Sequence, residues 1–344
     1  MTKVINTNLC AYCGTCMASC PVNVIYPSDA EKPMLKGRCV LCQICYYSCP
    51  RVKYDKSEIE KEVFGREKEE NETLGIFKGA YFARSKDKDI LRSCQDGGVA
   101  TSILKYALEK GVIDCVAASS SDEVSPLKPK SHAIWNPIDL AGISGTRYSI
   151  GAGVNELREA FENFPQGKIA FTGIPCEIQG VRKMQTTKIA NNNIIENLDF
   201  SLGIFCSKAF YYDKLSGFIG KQSRDGLKEV VRTEIKKGRF KALNKKREEL
   251  VDTPIKDLGK LTRQGCKSCQ DYTAELADIS VGGAGAPQGW SIVFTRTDRG
   301  EKIFKNACNS GIIQSKPIKD VKTKLSLVYK LADIKNKNTW KQVE

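Results

Sequence analysis

Between Cys10 and Pro50 the chain carries the pattern C-x2-C-x2-C-x3-C-P twice, as CAYCGTCMASCP and CVLCQICYYSCP, with no deviation in either run. So many thiols in so short a stretch leave little room for an apolar core, so ligation must supply much of the folding energy there. Zinc takes four thiolate or imidazole ligands per ion and has no use for two identical runs each closed by proline. Disulfides would call for an exported chain, and the opening MTKVINTNLC lacks the apolar stretch of a signal peptide. The spacing is that of a bacterial ferredoxin-like module with two [4Fe–4S] clusters, in which three close cysteines hold one cluster and the fourth crosses to the other. Cys10, Cys13, Cys16 and Cys49 are therefore assigned to one cluster, and Cys39, Cys42, Cys45 and Cys20 to the second.

The whole chain has 344 residues, enough for two or three domains, and 15 cysteines. Cysteines in that number without an export signal point to a reducing cytoplasm and to metal ligation. The expected location is the cytoplasm, either free or peripheral on the cytoplasmic face of a membrane complex. No apolar run reaches the length of a membrane span. His132 is the single histidine, which excludes a His-rich metal site. The net charge of +14 suits an acidic protein, a polyanionic coenzyme or simple solubility. The densest basic segment, KKGRFKALNKKR (236–247), has one aromatic residue and no nucleic-acid motif, so nucleic acid is not an expected partner.

Composition divides the chain. Residues 1–53 are the double-cluster module, and residues 54–75 a highly charged linker or exposed helix. Residues 76–344 alternate strands and helices and predict a mixed α/β (α+β) domain large enough for two lobes. Strands are expected at 77–84, 112–119, 168–173, 198–206, 277–283 and 290–297. Helices are expected at 155–164, 298–307 and after Pro175, with short strands between 227 and 262. Asp96 is expected to cap a helix beginning in the Gly97–Gly98 pair and stopping at Gly111. The tail from Lys316 is expected to be helical and then frayed.

Three further motifs carry chemistry. In CQDGGVAT (94–101) two glycines open a helix, an arrangement that brings backbone N–H groups close to a phosphate, although the same pair serves an ordinary turn. In TGIPC (172–176) a buried strand opens into a helix at the carboxyl edge of a sheet, where ligands sit in α/β folds. Cys266 and Cys269 form a C-x-x-C pair, which is half a metal site. The other half must come from afar. Cys176 and Cys206 end buried strands beside the suspected cleft, so a third [4Fe–4S] cluster on Cys176, Cys206, Cys266 and Cys269 is expected, with a redox-active dithiol as the alternative. Cys115 and Cys308 read as core packing.

Together, CQDGGVAT, TGIPCEIQGVRK (172–183), GIFC (203–206), CKSC (266–269), and ADISVGG followed by GWSIVFTRT (277–297) resemble the beta-subunit family of coenzyme F420 hydrogenases and dehydrogenases. The fused double-cluster module makes the chain most similar to the input subunits of archaeal F420 dehydrogenase complexes. The resemblance implies FAD and a [4Fe–4S] cluster, with hydride exchanged with the deazaflavin coenzyme. It implies that Gln95, Asp96, Gly97, Gly98 and Thr101 line the FAD site, with Thr172, Gly173 and Pro175 opposite. It supports the four cysteines of the third cluster. Where the family pattern commonly has serine the chain has Cys94, either a conservative exchange beside the flavin or a competing ligand. Arg147, Lys183 and Lys208 lie in or next to the matched segments and are candidates for holding the coenzyme's phosphate and glutamate tail.

The cofactor set is consistent with this. A deazaflavin moves electrons in pairs and clusters take one, so a flavin beside one cluster with two more leading outward converts between the two regimes. The expected partners are coenzyme F420 and either ferredoxin or a subunit of a soluble or membrane-associated redox complex. Two other readings keep these cofactors: a different small substrate, or an electron-transfer subunit with no substrate site of its own.

Overall fold

The computed structural model describes residues 1–122, 125, 127–187, 193–223 and 226–343. In the cysteine-rich module a hairpin of β1 (Ile25–Pro27) and β2 (Pro33–Leu35) stands beside helical turns at Thr15–Ala18 and Ile44–Tyr47, which carry Cys16 and Cys45. The larger part begins with β3 (Gly79–Ser85), β4 (Cys115–Ser121), β5 (Pro129–Ile134), β6 (Ile169–Gly173) and β7 (Leu198–Ile204). A separate antiparallel sheet of β8 (Arg232–Lys236), β9 (Arg239–Leu243) and β10 (Glu249–Pro254) follows. The chain then returns with β11 (Ile279–Gly282), β12 (Ser291–Thr295) and β13 (Ile313–Pro317).

The main sheet has eight strands in the order β13-β3-β12-β11-β7-β6-β4-β5. Its centre, β11-β7-β6-β4, is parallel, and the outer pairings are antiparallel. Alternation along the strands decides which helices cover which face. Val116, Ala118 and Ala170 join Ile103, Leu104 and Ala107 of α2 (Val99–Glu109), together with Ile303 and Phe304 of the later helix Asp298–Asn309. Cys115, Ala117, Ile169 and Phe171 point the other way, onto Leu157 and Ala160 of α3 (Glu156–Asn163) and Ile178, Val181 and Met184 of α4 (Pro175–Thr186). Ile169, Ala170 and Phe171 are all fully buried, as a strand covered on both faces requires. Arg182 of α4 is locked to the sheet: its guanidinium donates to Asp278 Oδ2 at 2.9 Å and to the Leu276 carbonyl at 2.8 Å.

The mixed α/β class, its large sheet and most of the expected elements are present. The segment after the cysteine runs forms α1 (Lys56–Phe64), but one face is buried. Lys56 and Lys68 reach Glu275 at 2.6 and 3.1 Å, and Ile59 joins the core beside α4. The tail also departs from expectation. Lys316 and Pro317 finish β13, a helix spans Ser326–Asn336, and beyond it Val343 N–H donates to the Arg51 carbonyl at 2.7 Å. Contacts with the cysteine module hold this end in place. The first residues of the strand predicted at 112–119 belong to the approach, because Val112 and Ile113 N–H groups still bond the Ala107 carbonyl of α2.

The cysteine module sits against α3 and α4. Gly14 has φ +93°, and a Cβ there would stand 2.2 Å from the Ala152 carbonyl oxygen, so glycine meets both the turn and the contact. Among the described residues no helix is long and apolar enough to cross a membrane.

Candidate functional site

The parallel strands end along one edge of the sheet, and the chain's motifs leave from it. Ile174–Cys176 follow β6, Phe205–Cys206 follow β7, and Gly282–Gly283 close β11. The Cys94–Gly98 loop joins the same edge, since Gly97 lies between the Ala83 carbonyl of β3 and Ser291, where β12 begins. This is the edge at which open α/β sheets take ligands. The smaller sheet β8-β9-β10 adjoins it: Arg232 donates to the Cys94 and Gln95 carbonyls at 2.9 and 2.8 Å, and Tyr148 Oη accepts from Ile235 N–H at 2.9 Å.

Asp96 does not cap α2. The helix starts after Gly98, which is left-handed at φ +70°, and no side chain caps it. The Asp96 carboxylate turns instead to Gly283, where a Cβ would stand 1.9 Å from Oδ2. A local capping pattern has been overridden by a contact across the sheet edge. Gly97 N–H donates to Ser291 Oγ at 3.0 Å, and Thr101 Oγ1 lies 3.3 Å from Ser144 Oγ. The Gln95 Oε1 atom is buried without a hydrogen-bond partner among the described residues. An uncapped helix start, a glycine cradle and an orphaned amide oxygen suit a phosphate-bearing cofactor with a polar ring. Thr172, Gly173 and Pro175 lie on the same edge at the end of β6, beyond β11 and β7. Pro175 opens α4 as expected, and Glu177 closes a capping arrangement by accepting from Ile174 N–H at 2.9 Å and from Gly153 N–H at 3.1 Å. Burial raises the Glu177 carboxyl to about 7.

The cysteines gather in three groups. One cavity is lined by Cys10, Cys13, Cys16 and Cys49, with Ala11 and Arg51 in its wall. Burial raises the Cys16 thiol well above its ordinary value, and Cys13, Cys49, Cys10 and Cys45 add to the rise. Burial also raises Cys45; the N-terminal ammonium opposes this, and Cys20, Cys42 and Cys39 add to it. Cys39 and Cys42 are exposed. A second cavity is lined by Cys176, Cys206, Cys266 and Cys269, together with Pro175, Lys335, Ala11 and Arg51. Ala11 and Arg51 therefore line both cavities. Among the described residues no three Cys, His, Asp or Glu side chains are arranged to hold a single metal ion. Thiols set around a cavity, rather than converging on a point, are what a cubane cluster needs.

The remaining cysteines stand apart. Cys115 is fully buried and Cys308 packs against the core. The Cys94 thiol donates to the Asp96 carbonyl at 3.0 Å, away from both cavities.

Two of the three cations considered for an anionic tail are already engaged. The Arg147 guanidinium donates to Ser121 Oγ and to five backbone carbonyls, among them Gly142 at 3.0 Å and Ser144 at 3.2 Å, and so pins the 142–145 loop. Lys183, nine-tenths buried, donates to the Val52 carbonyl at 2.8 Å and also to that of Lys53. Lys208 is half-buried beside Cys206, with no side-chain partner among the described residues.

Sequence reasoning missed Arg51, Lys335, Arg232, Ser291 and the Glu31–Arg263 pair. Arg263 reaches Glu31 Oε2 at 3.1 Å and the Glu31 carbonyl at 2.8 Å, tying the β1–β2 hairpin to the segment that carries Cys266. Proximity to CKSC was the only signal for Arg263; nothing local marks the others.

Fold and site together define an iron–sulfur electron-transfer protein built on an α/β sheet. Residues 80–157 and 166–321 match the models of the coenzyme F420 hydrogenase/dehydrogenase beta subunit, N-terminal and C-terminal parts, and residues 3–26 match a 4Fe-4S binding domain. The chain belongs to the coenzyme F420 hydrogenase/dehydrogenase beta-subunit family. It is 38% identical to the coenzyme F420 hydrogenase subunit beta of Methanosarcina barkeri, over 80% of this chain and 94% of that one. It is 34% identical to a subunit of the F(420)H(2) dehydrogenase of Methanosarcina mazei, over 98% of this chain and 92% of that one. In the solved F420-reducing [NiFe] hydrogenase complex of Methanosarcina barkeri one chain superposes with a TM-score of 0.74 at 36% identity, covering 79% of this chain and 92% of that chain.

Proposed function

We propose that this chain is an F420-dependent oxidoreductase subunit that passes electrons between coenzyme F420 and its iron–sulfur clusters by way of FAD at the sheet edge. The observation that carries the reading is the second cavity. Four cysteines from three distant segments line it beside the TGIPC turn, and Ala11 and Arg51 connect its wall to that of the first cavity. On this reading Cys176, Cys206, Cys266 and Cys269 hold an inner cluster, Cys10, Cys13, Cys16 and Cys49 the next, and Cys39, Cys42, Cys45 and Cys20 the outermost. Residues 1–53 are then the relay and residues 76–344 the flavin domain.

FAD, when bound, supplies the exchange between paired and single electrons. The residues of the chain hold and orient it. Gly97 and Gly98 let the backbone approach a phosphate, and the uncapped start of α2 favours its negative charge. The buried Gln95 Oε1 is an acceptor waiting for a donor at the ring. Arg232 fixes the loop by holding the Cys94 and Gln95 carbonyls. Lys208 is the remaining cation for the acidic tail of the coenzyme. The exposed outer cysteines face a one-electron partner, either ferredoxin or another subunit, in keeping with relatives named as hydrogenase and dehydrogenase subunits.

The test is the purified chain reconstituted anaerobically with iron, sulfide and FAD, then mixed with reduced coenzyme F420. Recovery of the coenzyme's absorbance together with bleaching of the flavin is expected; the absence of both changes would overturn the reading. Three clusters correspond to about twelve iron atoms per chain. Cys266→Ser should lower that to about eight and leave the two N-terminal clusters intact.

A further inference from the structure

Two buried cations border the second cavity, and neither has a carboxylate partner among the described residues. Lys335 is 5% exposed and lies at the end of the helix Ser326–Asn336. Its side chain lines the cavity together with Cys206, Cys266 and Cys269. Arg51 is 1% exposed. Its Nη2 donates to the Gly265 carbonyl at 3.2 Å, its Nη1 lies 3.4 Å from that of Ser268, and its Nε has no partner. The Trp340 ring covers the guanidinium at 4.4 Å. Hydrogen bonds hold this arrangement together. Asn338 Nδ2 donates to the Cys269 carbonyl at 2.8 Å, and Gln270 Nε2 to the Asn338 carbonyl at 2.8 Å.

A buried cation without an anion is costly, and a chain keeps one where the anion arrives with something else. A [4Fe–4S] cluster with four thiolates is that anion. It carries net negative charge, and one-electron reduction adds another without a proton. Burial in a low dielectric penalises the more highly charged, reduced form and so lowers the potential. Fixed positive charge and an N–H bond to a ligand sulfur act in the opposite direction.

We propose that Lys335 and Arg51 are positioning charges that raise the reduction potential of the inner cluster, so that a deeply buried cluster still accepts an electron from the flavin. Lys335 acts on the inner cluster alone. Arg51, shared between the cavities, acts on the inner cluster and on its neighbour. The proposal rests on the inner-cluster reading above.

The experiment is a potentiometric titration of the full chain, reconstituted with iron, sulfide and FAD, followed by electron paramagnetic resonance. The signal lost in Cys266→Ser identifies the inner cluster. Lys335→Met is expected to reduce the reduced-to-oxidised ratio of that cluster at fixed potential at least tenfold, a shift of 59 mV for one electron. The two N-terminal clusters should not move, and Lys335→Arg should restore the ratio. An unmoved inner potential in Lys335→Met would overturn the proposal. Should Lys335→Met fail to retain the cluster, wild-type protein grown with ¹⁵N-lysine still decides. A lysine nitrogen hyperfine coupling on the reduced inner cluster is expected, and its absence overturns the role of Lys335. A wild-type chain with only about eight iron atoms would instead remove the inner cluster itself.

Discussion

Gly180, in the middle of α4, lies so close to Thr15 that a Cβ on it would stand 2.0 Å from Thr15 Oγ1. The nearest sulfur to that point is Cys13 Sγ at 3.6 Å, so the helix and the first cysteine run meet with no space between them. Glycine inside a helix normally costs about 1 kcal/mol relative to alanine, and here it is what allows the two parts to dock. Gly180→Ala should therefore destabilise the chain by about 1–3 kcal/mol, as overpacking does, and slow assembly of the first cluster. Thermal unfolding and iron content of the anaerobic protein measure both effects.

Gly98 holds a left-handed backbone at φ +70°, and a Cβ there would stand 2.7 Å from Ile90 Cγ2. Gly98→Ala is expected to cost about 1–2 kcal/mol from the backbone alone and to displace the start of α2. FAD retained after gel filtration should fall while iron content stays at the wild-type level.

The Glu31–Arg263 pair is a buried connection between the cysteine module and the CKSC segment. Arg263 is 1% exposed and its guanidinium lies 4.5 Å from the Tyr211 ring and 5.1 Å from that of Tyr12. Removing one partner of such a pair leaves an uncompensated charge and costs about 3–5 kcal/mol. Glu31→Ala should bring that loss, and limited proteolysis should then cut within the β1–β2 hairpin.

Burial, the Glu159 hydrogen bond and the Glu159 charge raise the Glu156 carboxyl to about 8. An unfolded glutamate titrates near 4.3. Between these values the folded chain binds the additional proton, so this contribution to stability is present below about pH 4 and is lost as pH rises to about 8. Glu156→Gln should flatten that dependence and stabilise the protein at pH 9 by on the order of 1 kcal/mol, the proton being shared with Glu159. Melting temperatures of both proteins at pH 5 and pH 9 check the sign.

The sequence made short-range order visible and left long-range order hidden. The cysteine runs state their chemistry through spacing of two and three residues, and β6 announces itself as the apolar run Ile169–Phe171 followed by Thr172 and Gly173. Pro175 marks the start of α4 because its ring presets the helical φ. The local pattern made Asp96 a helix cap, since nothing in CQDGG reveals that Gly283 leaves room for a carboxylate. Arg147 resembled a free cation because its hydrogen-bonding partners are backbone carbonyls, which have no sequence signature. Lys335 sits in a lysine-rich tail whose neighbours look alike, and Cys269, which lines the same cavity, is 66 residues away in the chain. A separation of 289 residues hid the Arg51–Trp340 contact as well.

The segment from Lys335 to Val343 packs against the wall shared by the two cysteine cavities, with Lys335 lining the second, Trp340 over Arg51 and the Val343 backbone bonded to residues 51 and 53. Beyond Lys335 the segment thus reaches both cavities at second hand: what moves Trp340 or the Val343 backbone moves Arg51, whose side chain stands in both walls.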